Sequence, residues 1–175
     1  MADGLDLASL IRDIPDFPKP GVGFKDITPL LGDAAGFAHV VDRLTEHFTG
    51  RRVDKVVGIE ARGFVIAAPI AHRLGAGLVP IRKPGKLPWT TQVQEYDLEY
   101  GTDRLEVHTD AVAAGERVAV IDDVLATGGT AAAAAALIEA IGGEVVGLGF
   151  VIELAFLGGA ARLEGRDHVS LLTYE

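Results

Sequence analysis

Residues 118–130 read VAVIDDVLATGGT, and this run limits the fold more than any other stretch of the chain. Val118, Val120 and Ile121 suit a strand buried on both faces, which requires near-continuous apolar sequence. Asp122 and Asp123 do not, because an unpaired carboxylate is costly to bury. After them come Ala126, Thr127, Gly128, Gly129 and Thr130, small residues that let the backbone turn sharply and approach a ligand. An alanine-rich stretch then predicts a helix over 130–141, with Ala134, Leu137, Ile138 and Ile141 on its inner face. A strand, a turn and a helix in that order are the unit of a parallel sheet.

The rest of the chain repeats the unit. DKVVGI (54–59), GLVPIRK (77–83), EVVGLGFVIEL (144–154) and HVSLL (168–172) read as strands. Asp33 can cap a helix carrying Phe37, Val40, Val41 and Leu44, and 64–74 reads as a second helix despite Pro69. LDLASLIRDI (5–14) places Leu5, Leu7, Leu10, Ile11 and Ile14 on a helical stripe ended by Pro15. YDLEY (96–100) and DRLEVHT (103–109) alternate with period two and predict an antiparallel pair. The expected fold class is α/β, a mainly parallel sheet flanked by helices, in one domain spanning 1–175.

Composition removes several functions. A formal net charge of −9 argues against a non-specific nucleic-acid binder. The absence of cysteine excludes disulfides, thiolate metal sites and cysteine nucleophiles, and five scattered histidines argue against zinc. MADGLDLASLIRDI has acids where a signal peptide carries positive charge, and Glu153 interrupts the longest apolar run. The expectation is a cytoplasmic protein with no membrane partner.

In a parallel α/β sheet, ligands sit beyond the carboxyl ends of the strands, where the next helix begins. Successive N–H groups of ATGGT can cup a phosphate there, with Thr127 and Thr130 adding hydroxyls. Asp122 and Asp123 would then accept hydrogen bonds from sugar hydroxyls or face a hydrated Mg²⁺. Taken alone, the run is equally a capped turn with solvated acids. The P-loop pattern and the G-x-G-x-x-G pattern are both absent.

Together, the hydrophobic strand, acidic pair and Thr/Gly loop resemble the phosphoribosyl pyrophosphate signature of type I phosphoribosyltransferases. DFPKPGVGFKDITPLL (16–31), GIEARGF (58–64), IRKPGKLPWTT (81–91) with YDLEYG (96–101), and VIELAFLGG (151–159) narrow the resemblance to the adenine-using branch. It covers nearly the whole chain in order. The resemblance implies conversion of adenine and 5-phosphoribosyl 1-pyrophosphate to AMP and pyrophosphate in purine salvage, by a cytoplasmic homodimer with Mg²⁺. That Mg²⁺ would be held mainly by substrate pyrophosphate and water. It implies that 126–130 hold the 5′-phosphate and that Asp122 and Asp123 face the ribose. Glu60, Ala61 and Arg62 would form the pyrophosphate loop, with a cis peptide between Glu60 and Ala61. Arg82, Lys83 and Lys86 would act on pyrophosphate from a lid at about 83–94. A hood from about 1–35 would read adenine through Gly23, Phe24 and Lys25. Some relatives carry Val and Arg where this chain has Gly23 and Lys25. Glu99, next to Tyr100 at the base of the lid, would be the general acid/base, and Arg62 would also serve catalysis. Trp89, in the polar lid stretch, is expected to be partly exposed. The competing readings are a phosphoribosyltransferase for xanthine or another 6-oxo purine, and a regulator that only senses phosphoribosyl pyrophosphate. A regulator needs a DNA-binding module that the short acidic N-terminus does not offer.

Overall fold

The computed structural model describes residues 5–97 and 102–175. Its centre is a five-stranded sheet built from β3 (Lys55–Ile59), β4 (Gly77–Ile81), β7 (Arg117–Leu125), β8 (Glu144–Leu154) and β9 (His168–Tyr174). The strand order is β4-β3-β7-β8-β9, and every neighbouring pair is parallel. The apolar runs at 54–59 and 118–125 become two of its three inner strands, with β8 the third, because only continuous apolar sequence can be covered on both faces.

Two small antiparallel sheets flank it. One pairs β1 (Arg12–Ile14) with β2 (Phe24–Asp26), and the other pairs β5 (Thr91–Asp97) with β6 (Thr102–His108). Among the described residues the α-helices are α1 (Thr28–Gly32), α2 (Ala34–Phe48), α3 (Arg62–Leu74) and α4 (Gly129–Ala140). On one face of the sheet α2 and α3 bury Val40, Val41, Leu44, Phe48, Ile66 and Ile70 against Val56, Ile121 and Val151. On the other, α4 and the β5–β6 hairpin bury Ala134, Leu137, Ile138, Tyr96, Leu105 and Val107 against Val57, Val120 and Phe150. Asp33 caps α2 as expected, its carboxylate accepting from the Gly36 N–H at 2.7 Å.

Three expectations are corrected. The stripe at 5–14 is not one helix: Leu7–Leu10 is a single 3-10 turn, and Arg12–Ile14 leaves it to pair with Phe24–Asp26. A stretch that short gains more from ladder hydrogen bonds than from an isolated helical turn. The first hairpin strand begins at Thr91 rather than Tyr96, so the last four residues of the expected 83–94 lid are already paired with β6. Helix α3 begins at Arg62, before Phe64, and runs through Pro69.

The direction of the chain reverses between β3 and β7. From β3 it moves outward to the edge strand β4, and from β7 it moves the opposite way through β8 to β9. The carboxyl ends of β3 and β7 therefore enclose the crevice at a topological switch point, where open α/β sheets bind ligands.

Candidate active site

At that switch point lies a cavity of about 400 Å³. Its walls come from four separated stretches: Val22 to Lys25, Glu60 to Arg62, Lys83, and Asp122 to Thr130, closed by Leu154 and Leu157. Of the residues singled out in the sequence, Gly23, Phe24, Lys25, Glu60, Ala61, Arg62, Lys83, Asp122, Asp123, Ala126 and Thr130 line it together. Thr127, Gly128 and Gly129 make the turn between two of its lining residues, and Arg82 and Lys86 stand behind Glu60. Glu99 and Tyr100 lie outside the described residues.

The acidic pair divides its work. Asp123 is buried, its side chain 6% exposed, and it pairs with the Arg62 guanidinium. A buried carboxylate needs such a partner. The Asp122 carboxylate accepts from the Asp123 N–H at 2.9 Å. Burial first, and then the neighbouring Asp123 charge, push the Asp122 carboxyl well above the ordinary aspartate value. Arg62 also lies over the Phe24 ring, 5.3 Å from its centroid, so one side chain spans from the acidic pair to the hood. Gly63 permits this approach: a β-carbon there would stand 2.9 Å from the Ile121 carbonyl oxygen and 3.0 Å from Asp122 Oδ1.

The Glu60–Ala61 peptide is cis, as the resemblance implies. The Glu60 carboxylate accepts from the Lys83 N–H at 2.9 Å and from Arg82 Nε at 3.2 Å, with Lys86 Nζ at 3.5 Å. Burial pushes this carboxyl up, but those hydrogen bonds and the charges of Arg82 and Lys86 outweigh it and hold it below its ordinary value. Arg82 and Lys86 are thus gathered on Glu60, while the Lys83 ammonium pairs with Asp103, so the basic cluster is not spread over a solvated face.

Two helices aim their amino ends at the cavity. Neither Gly128 before α4 nor Ala61 before α3 supplies a side-chain cap, which leaves first-turn N–H groups available to an anion. Gly128 has φ +80°, and the turn it makes is seated on Gly159. A β-carbon on Gly159 would lie 2.1 Å from the Ala126 carbonyl oxygen. Three residues here lie in stretches quoted from the sequence but have no part in the site as read there: Gly159, Tyr96 and Asp103. The last two are opposite each other in the β5–β6 register, and only the register brings them together.

Chemically, the cavity pairs an apolar wall (Val22, Phe24, Leu154, Leu157) with cations and two helix amino ends. Such a lining suits a ligand that is flat and apolar at one end and multiply anionic at the other. Among the described residues no group of three or more His, Cys, Asp or Glu is arranged to hold a metal, and no helix is long and apolar enough to cross a membrane.

A family model of the phosphoribosyl transferase domain matches residues 31–170. The adenine phosphoribosyltransferase of Chloroflexus aurantiacus is 62% identical over 169 residues, covering 97% of this chain and 98% of that protein. The crystal structure of adenine phosphoribosyltransferase from Thermoanaerobacter pseudethanolicus is similar at a TM-score of 0.93 and 52% identity, over 96% of this chain and 98% of that one. The enzyme from Giardia lamblia, solved in complex with 9-deazaadenine, has a TM-score of 0.92 at 35% identity, over 97% of each chain.

Proposed function

The chain belongs to the phosphoribosyltransferase family, among its adenine phosphoribosyltransferases, and on that premise we propose how its residues convert adenine and phosphoribosyl pyrophosphate to AMP and pyrophosphate. One observation carries the reading: a single cavity collects the hood, the EARG loop, Lys83, the acidic pair and the Thr/Gly turn. In the reaction the bond from C1 of the ribose to pyrophosphate oxygen breaks, its electron pair leaving with pyrophosphate. The N9 lone pair of adenine forms the new bond, and the ring proton departs. C1 is cation-like between these events, as in glycoside cleavage.

The amino end of α4, with Ala126 to Thr130, holds the 5′-phosphate. Asp122 and Asp123 accept from the ribose hydroxyls and lie near the developing positive charge. Arg62, Lys83, Arg82 and Lys86 take the pyrophosphate, and the segment over 84–90, exposed apart from Leu87, closes over it. Phe24, Leu154 and Leu157 sandwich the base while backbone groups of Gly23 and Lys25 read its edge. Glu99 accepts the departing proton or stabilises charge on the base.

The two adjacent carboxylates, with no third His, Cys, Asp or Glu grouped with them among the described residues, fit a Mg²⁺ that would arrive on pyrophosphate and keep most of its water. When bound, it would supply charge neutralisation at the leaving group, and Asp122 and Asp123 would hold it through water. We further propose a cytoplasmic homodimer working in purine salvage. The sequence resemblance supports the dimer.

The test is turnover of adenine, hypoxanthine, guanine and xanthine, each with phosphoribosyl pyrophosphate and Mg²⁺. Adenine should exceed every 6-oxo purine by about 10²-fold or more in kcat/KM, because a site built on hydrogen bonds rejects mismatched edges strongly. Preference for a 6-oxo purine would overturn the reading.

A further inference from the structure

The cations of the cavity are not equally placed, and Lys83 stands out. Its backbone N–H is fixed by Glu60, while its ammonium donates to the Tyr96 hydroxyl at 3.0 Å and pairs with Asp103. Tyr96 is buried at 8% exposure, with its ring in the core beneath α4. Its hydroxyl stands 3.2 Å from Asp103 Oδ2 and accepts from Thr130 Oγ1 at 3.3 Å. Thr130 belongs to the first turn of α4, and Lys83 follows the strand that leads into the lid. One phenolic oxygen therefore touches both anion-binding arms of the cavity. Burial pulls the Lys83 pKa down, but the Asp103 and Tyr96 contacts outweigh it and hold the ammonium above its ordinary value.

We propose that Tyr96, backed by Asp103, is a positioning residue that sets the Lys83 ammonium and the Thr130 hydroxyl for the two phosphate ends of the substrate. It acts through those two groups and touches no reacting atom. The inference rests on the function given above. Lys83 keeps a third N–H for the anion, and the Thr130 oxygen is held in place so that only its proton need turn from Tyr96 to the phosphate. Groups fixed in this way contribute because little reordering is needed when the anion arrives. A half-buried lysine with no such partners would lose rotamer entropy on binding instead.

Tyr96→Phe keeps the ring in the core and removes only the oxygen. The KM for phosphoribosyl pyrophosphate should rise roughly 5–10-fold, the size of one lost hydrogen bond, with the adenine KM within about twofold of the parent. Calorimetric titration should show weaker binding of inorganic pyrophosphate, through Lys83, and of AMP, through Thr130. A purely structural role would weaken every ligand alike and lower the melting temperature. In a Lys83→Met background, Tyr96→Phe should have no further effect on pyrophosphate affinity, since contacting residues are not additive. Pyrophosphate and AMP affinities within twofold of the parent would overturn the proposal, as would an undiminished effect of Tyr96→Phe in the Lys83→Met background. If the parent chain failed to turn over adenine, the functional reading would fall, and the pyrophosphate titrations would still decide the role of Tyr96.

Discussion

Gly159→Ala tests the seat of the Thr/Gly turn. Gly159 is outside the left-handed region, so alanine fits its backbone and the whole effect is steric. The new methyl would lie 2.1 Å from the Ala126 carbonyl oxygen and 2.9 Å from the Gly128 nitrogen, against an ordinary contact of 3.4 Å or more. Both neighbours are backbone atoms, so no side chain can swing aside. The turn must retreat by more than 1 Å. Overpacking of this kind costs about 1–3 kcal/mol, a drop of several degrees in Tm for a chain of this length. A 1 Å misplacement of a binding group can cost about 10²-fold in rate. The kcat/KM for phosphoribosyl pyrophosphate should therefore fall about 10²-fold and AMP binding should weaken in parallel. Binding of inorganic pyrophosphate, which the proposed function assigns to other residues, should stay within about threefold. Gly32→Ala, where a β-carbon meets nothing within 4 Å, is the control and should be neutral or slightly stabilising. A Gly159→Ala protein with parental AMP affinity would refute the argument that this contact sets the turn.

Asp122 gives a pH signature. Its folded pKa is raised, so the folded state holds a proton that the unfolded chain releases, and stability falls as pH rises above the ordinary aspartate range. Asp122→Asn should flatten that decline in a melting-temperature series, and parallel curves for parent and variant would contradict the assignment. Trp89, the chain's one tryptophan and 68% exposed, should shift its emission to the blue when phosphoribosyl pyrophosphate and Mg²⁺ close the lid; an unchanged spectrum on saturation would argue against closure. Glu99→Gln should slow single-turnover chemistry by about 10²–10⁴-fold. Glu95→Gln, which removes only an exposed pair with Arg104, should match the parent in the same assay.

How far the sequence foretold this molecule depends on the range of each interaction. The strand–turn–helix unit at 118–141 was readable because its signals are local: an apolar run, two glycines and a helix of good formers. The resemblance then located every lining stretch of the cavity but not the contacts among them. That Asp123 would be the buried partner of Arg62, and that Arg82 and Lys86 would converge on Glu60, follow from packing α3 and β4 against β3 and β7. Tyr96 and Asp103 sat in an alternating pattern whose register fixes their pairing only in three dimensions. The N-terminal stripe misled because a helical period at 5–14 is outweighed by strand pairing with 24–26, a choice made by residues beyond the stripe itself.

The adjacency of β3 and β7 also governs when the cavity comes into being. The Arg117 N–H donates to Asp54 Oδ2 and the Asp54 N–H to the Arg117 carbonyl, joining residues 63 positions apart. Closing a loop of that length costs only slightly more entropy than closing a shorter one, but such distant pairings slow the search for the native state. A nascent chain ending before Arg117 already carries the hood, the EARG loop and Lys83, yet it has no floor on which to set them. Until β7 docks, Arg62 lacks its buried partner Asp123 and the Thr/Gly turn has not been made. Substrate can therefore recognise only the finished sheet. At a hundred times its dissociation constant, a ligand that ignores the unfolded chain adds about 2.7 kcal/mol to the native state. Cells rich in phosphoribosyl pyrophosphate would thus slow the turnover of this polypeptide by withholding its unfolded form from proteases.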